Sequence, residues 1–147
     1  MVRNTDQILR AEDNVIFNTI PVKFGNCDLD GLMSSKILIW SEGYYNIYFN
    51  VYHTQPCQFG LFLNNILVPS TTVGSPLGST INSLSTICYI SPNDILVNVT
   101  SKSTIGTAAI LEFRNHTSIA PIIVLNGQIG SGIVLGQNTA TAVIFKL

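Results

Sequence analysis

The sequence predicts an all-β fold, an antiparallel β-sandwich of jelly-roll type, and three observations predict it. Apolar or strictly alternating runs of strand length, rich in Val, Ile, Thr, Tyr and Phe, recur along the chain with Gly, Pro, Asn and Ser between them. No stretch carries the apolar period of an amphipathic helix. The 147 residues suffice for one domain with a substantial core, and ten or so short strands at this spacing fit a jelly roll of that length.

Residues 1–14, MVRNTDQILRAEDN, mix both charge signs and read as a solvated N-terminal arm before a single domain over 15–147. Strands are expected at about Val15 to Phe24, Lys36 to Trp40, Tyr44 to His53, Phe59 to Leu63, Ile66 to Ser70, Ile81 to Ile90, Ile95 to Thr100, Ala108 to Phe113, Ile122 to Leu125 and Ala140 to Leu147. Asn64-Asn65 is a two-residue link whose residues tolerate positive φ, as a type I′ hairpin turn requires. Pro92-Asn93 reads as the turn of a second hairpin, and Gly127 to Gly136 as a glycine-rich loop between strands. That loop is no dinucleotide fingerprint, because its spacing is wrong and β-prone residues follow it.

Composition excludes several classes of function. Charged residues make up 10% of the chain and apolar ones 46%, with a mean hydropathy of +0.38. The longest unbroken apolar stretch, Ile119 to Leu125, is far below the roughly 18 residues of a spanning helix, and the N-terminus lacks the apolar segment of a secretory signal. Net charge is −1 with scattered Lys and Arg, so no nucleic-acid partner is expected. Cys27, Cys57 and Cys88 are odd in number and far apart, which reads as buried thiols rather than a disulfide framework or a zinc site.

Candidate chemistry is sparse. Asn26, Asp28 and Asp30, with Gly31 after them, match the first half of a calcium loop, but Ile37 stands where the closing Glu belongs; a turn or a weak cation site are the two readings. His53 and His116 are the only histidines, and no metal or nucleophile signature accompanies them. His53, at a strand end, reads as a surface or hydrogen-bonded residue. No catalytic residue, metal or cofactor is expected. Asn98-Val-Thr100 and Asn115-His-Thr117 are glycosylation sequons at about the frequency chance would give.

The stretch Ser41 to His53, SEGYYNIYFNVYH, is more informative. In a strand, Tyr45, Ile47, Phe49 and Val51 share the core face, while Tyr44, Asn46, Tyr48, Asn50 and Tyr52 share the other. This second face is uncharged and aromatic, the composition of an interface rather than of a wet surface. In the last strand Thr141, Val143, Phe145 and Leu147 alternate against Ala142 and Ile144, giving two further uncharged faces.

From Gly43-Tyr-Tyr45-Asn-Ile-Tyr48-Phe-Asn-Val51 the chain resembles the superfamily of the complement C1q globular head and the tumour necrosis factor ligands. Phe59-Gly-Leu-Phe-Leu63-Asn-Asn65-Ile-Leu-Val68 is similar to that family's hairpin. Ile87-Cys-Tyr-Ile90-Ser-Pro-Asn-Asp94-Ile-Leu-Val97 is similar to its hydrophobic run, turn and following strand, and the ordered set covers about residues 15 to 147. Trp40 stands where these domains often have Pro, Asn65 and Asn93 replace Gly, and no collagen-like stalk precedes the domain.

The resemblance implies a C1q/TNF-like jelly roll that assembles as a homotrimer, its interface drawn from Tyr44, Asn46, Tyr48, Asn50, Tyr52, Val143, Phe145 and Leu147. The expected function is a non-enzymatic module for assembly or for recognising a protein or glycan partner through loops. The expected setting is a component of a large virus, in the virion or the infected-cell cytoplasm, or of a microbial surface layer. A carbohydrate-binding, lectin-like sandwich is the alternative.

Overall fold

The computed structural model describes residues 1–21, 23, 25–31, 33–100, 105–126 and 138–147. Strands β1 (Val2–Arg3), β5 (Gly43–Tyr52), β9 (Ile81–Ile90) and β13 (Ala140–Lys146) form a four-stranded sheet in the order β1-β13-β5-β9. A second sheet runs β3 (Cys27–Leu29), β4 (Ile37–Ile39), β11 (Ile105–Asn115), β6 (Cys57–Leu63), β7 (Ile66–Leu67), with β10 (Val97–Thr100) on β11 and β8 (Val73–Ser75) on β6. Strands β2 (Gln7–Arg10) and β12 (Ile122–Leu125) make a separate two-stranded ribbon. Every strand pair is antiparallel. The protein is thus an all-β sandwich, compatible with a jelly roll. Among the described residues no helix is long and apolar enough to cross a membrane.

The core lies between the two large sheets and follows the two-residue period of their strands. Tyr45, Ile47, Phe49 and Val51 point inward from β5, and Phe59, Leu61, Ala109, Leu111 and Phe113 meet them from β6 and β11. At its centre Phe49 stacks on Phe113, ring centroids 4.0 Å apart, and tilts against Phe59 at 5.7 Å. Tyr45 is the one phenol in this layer, and its hydroxyl donates to Ser41 O at 2.8 Å, which removes the cost of burying it. The three cysteines are free and buried as expected, and desolvation, assisted by Asp28, pushes the Cys27 thiol up to about 11.

The Asn64-Asn65 turn forms as the sequence predicts, with φ of 48° and 68° and Leu63 paired with Ile66. It also explains why Asn occupies a position that Gly would fit. Asn64 Oδ1 accepts from Ile110 N at 2.9 Å and Asn64 Nδ2 donates to Asp94 O at 2.7 Å, tying the turn to β11 and to the 92–95 segment. Replacing Asn64 with Ala is expected to cost about 2–3 kcal/mol in urea unfolding, from two lost hydrogen bonds and a left-handed φ that Ala disfavours. Asn64→Gly should recover only the conformational part.

Five expectations are corrected. Residues 1–14 are not a solvated arm: Val2 and Arg3 pair with Thr141 and Ala140, and Gln7 to Arg10 pair with Leu125 to Ile122. Their charges concealed this, since Arg3 is buried yet donates to Thr5 O and Asp6 O, and Leu9 is buried beside exposed Ile8. No continuous strand spans Val15 to Phe24. Val15 N bonds Phe113 O, Phe17 bonds Ser34 and Thr19 bonds Val2, so three partners divide the segment before Pro21, which has no N–H to give. Val22 and Phe24, like the Gly127 to Gly136 loop, lie outside the described residues.

Pro92-Asn93 is not a hairpin turn. It lies in a single 3-10 turn, Pro92–Asp94, held by Asp94 Oδ2 accepting from Ser91 N at 2.8 Å, after which β10 joins β11 in the other sheet. Ile66 to Ser70 is likewise not one strand: β7 stops at Leu67 before Pro69, and Ser70 turns the chain at φ 61° into β8. Finally, Asn26 to Gly31 is not a plain turn. Cys27–Leu29 is a strand on β4, Asp28 pairs with Lys23, and Asn26 Nδ2 donates to Ser41 Oγ at 2.8 Å. Among the described residues no cluster of three His, Cys, Asp or Glu stands ready for a metal.

Candidate oligomer interface

Residues 43–52 and 81–90 pair along their whole length, and residues 140–146 pair on the other side of β5, so three strands present one broad outer face. The register places side chains in rows across it. Tyr89 faces Tyr44, Ile87 faces Asn46 and then Phe145, Ser85 faces Tyr48 and then Val143, Ser83 faces Asn50 and then Thr141, and Ile81 faces Tyr52. No outward position in these rows is charged. Lys146 sits opposite inward Tyr45 and reaches Ser41 Oγ, so its ammonium stays off this face. Gly43, at φ 140°, gives the Lys146 side chain its path, since a Cβ there would lie 2.5 Å from Lys146 Cε.

Tyr44 is 59% exposed, Tyr48 42%, Ile87 61% and Tyr89 51%, and Val143, Phe145 and Leu147 are exposed beside them. Asn46, Asn50 and Tyr52 are half-buried. Tyr44 and Tyr89 rest on each other at 4.8 Å between ring centroids. Seven of the eight residues expected at an interface therefore fall on one side of one sheet, and exposed Leu147 follows directly after β13. Sequence reasoning missed Ile81, Ile87 and Tyr89, although the alternation in INSLSTICYI puts them opposite buried Leu84, Cys88 and Ile90.

Next to this face, at the open side of the sandwich, a cavity of about 240 Å³ runs along β13. It is walled by Met1, Ile20, Pro21, Cys27, Ile144 and Phe145. Its lining is mainly aliphatic and includes Lys23.

A second feature lies at one end of the sandwich. His53 is completely buried; its Nε2 is 2.9 Å from Ser75 Oγ, which in turn is 3.4 Å from Cys57 Sγ. Asn82 Nδ2 donates to Val73 O at 3.1 Å and closes the cluster. Ser75 and Cys57 border a cavity of about 340 Å³ among the 56–58, 74–76 and 117–119 segments. Burial pushes the Cys57 thiol up, with hydrogen bonds from Ser75 and Asn82 opposing, so it is held as a poor nucleophile. His116 is a surface residue, 2.9 Å from Glu12 through Nδ1 and edge-on to Phe62.

The two sequons differ in access. Asn98 is exposed on β10, whereas Asn115 is fully buried, donating to Arg10 O at 2.8 Å and accepting from Ser118 Oγ. Compared with known proteins, the chain matches no family model and no curated protein sequence.

Proposed function

We propose that this protein is a non-enzymatic, homotrimeric jelly-roll module of C1q/TNF type, whose task is assembly or the display of its loops to a partner. The observation that carries the reading is the uninterrupted, uncharged face of β5, β9 and β13. Tyr44, Tyr48, Ile81, Ile87, Tyr89, Val143, Phe145 and Leu147 are all exposed there, and a contiguous apolar patch of this kind marks an interaction site rather than an ordinary wet surface. Removing one tyrosine from water contributes on the order of 2–3 kcal/mol before ordering costs, so several such residues repeated by symmetry favour an obligate assembly.

A closed three-fold contact is heterologous: two different patches of each subunit meet. The chain offers such a pair, the flat outer face and the aliphatic groove along β13, whereas a two-fold dimer would need the face alone. A coat or surface layer of a large virus or microbe is the setting we propose. Purified protein at micromolar concentration should sediment at three times the 16.0 kDa chain mass. A monomer would remove the interface argument, and a dimer would replace the three-fold contact with face-to-face packing.

A further inference from the structure

His53 joins four parts of the chain at the end of the sandwich. It ends the run of β5, its N–H donates to Thr80 O at 3.0 Å, its ring contacts Ser75 on β8, and its backbone bridges to Leu125 on β12. Its other ring nitrogen, Nδ1, is buried without a hydrogen bond of good geometry. Buried polar atoms of this kind are rare enough to need a reason.

Among the described residues, the segments that bond to His53 carry no charge that an imidazolium could use. The sequence has no Asp, Glu, Lys or Arg between Glu42 and Asp94, nor between Arg114 and Lys146. These two stretches supply the groups that bond or bridge to His53, namely Thr80 and Ile81 from the 76–81 chain, Ser75 from β8, Gln55 from the loop and Leu125 from β12, with Cys57 of β6 behind Ser75; β2 adds uncharged Gln7 opposite Leu125. The one titratable group among them is the Cys57 thiol, which stays neutral.

We infer that His53 is an acid-sensitive latch: protonating this enclosed ring, which has no counter-charge, frees Ser75 and the 74–80 segment and opens the cavity above Cys57. Neutral imidazole fits the site; the cation adds an N–H at Nδ1 that meets no acceptor in good geometry, and the backbone of Gln55 and Ile81 offsets only part of the cost of enclosing its charge. Burial lowers the His53 pKa, the backbone of Gln55 and of Ile81 opposing less strongly. The contribution of His53 to closure is therefore complete above the pKa of the released ring, about 6.5, and is lost as pH falls below it toward the lowered folded value.

Hydrogen exchange at the amides of Ser75, Gly78, Ser79 and Thr80 tests this. Wild type is compared with His53→Gln at the same pH, so that intrinsic exchange cancels. Gln keeps a donor toward Ser75 but cannot titrate. Protection in the wild type should fall on the order of tenfold relative to the variant between pH 7.5 and pH 5. An equal pH dependence in both proteins overturns the latch. Where His53→Gln does not fold, ring-proton titration of the wild type by NMR decides: His53 must titrate below about 6.5, and titration at or above that value overturns it.

Discussion

Tyr48→Asp should convert the proposed trimer to monomer at micromolar concentration while leaving the fold intact. Tyr48 sits in the middle row of the outer face, between Ser85 on β9 and Val143 on β13. It is 42% exposed, so the isolated subunit tolerates a smaller, charged side chain there. In a trimer the same position is dry and occurs in every subunit. Each copy then loses about 2–3 kcal/mol of aromatic burial and gains an unpaired carboxylate whose desolvation costs several kcal/mol more. Together these weaken each contact by far more than a hundredfold. Sedimentation velocity reads the mass and thermal unfolding reads the fold. Tyr48→Phe, which keeps the ring, should stay assembled. An unchanged trimer mass for the Asp variant would place the contact on another face.

Phe49→Ala should be the most damaging single core substitution. Its ring is completely buried, stacked on Phe113 and tilted against Phe59, so it fastens β5 of one sheet to β6 and β11 of the other. Truncating a buried Phe costs about 3–5 kcal/mol, a large fraction of the 5–15 kcal/mol that stabilises an ordinary domain. At roughly 2–4 °C per kcal/mol for a chain of this size, Tm should fall by on the order of 10 °C. Phe49→Leu keeps most of the volume and loses chiefly the ring stack, about 0.5–1.5 kcal/mol. A loss under 1 kcal/mol for Phe49→Ala would mean that these rings do not carry the contact between sheets.

The candidate interface was largely legible because side-chain direction in a strand is a local property. Once Tyr44 to His53 is extended, Tyr44, Asn46, Tyr48, Asn50 and Tyr52 must share a side, whatever the strand pairs with. Val143 and Phe145 followed for the same reason, and their pairing with Tyr48 and Asn46 brought the two sets together. Ile87 and Tyr89 obey the same alternation, but only the register of β9 on β5 puts them in rows with Asn46 and Tyr44. The His53 cluster was not legible at all, since Ser75 and Cys57 reach it from strands 22 and 4 residues away along the chain.

What the sequence determined alone was the class of structure: an all-β sandwich, the long strands with their inward and outward faces, the Asn64-Asn65 hairpin, buried thiols and an outer face of β5 without charge. These depend on a two-residue period, on φ preference and on composition, all fixed within a few neighbouring residues. Tertiary structure decided who pairs with whom. It drew Val2 and Arg3 onto β13, split Val15 to Thr19 among three partners, and sent β9 and β10 into opposite sheets across a turn that reads locally like a hairpin. The reason is that backbone N–H and C=O groups are the same at every residue, so the choice of partner comes from which long-range arrangement buries Phe49, Phe59 and Phe113 together.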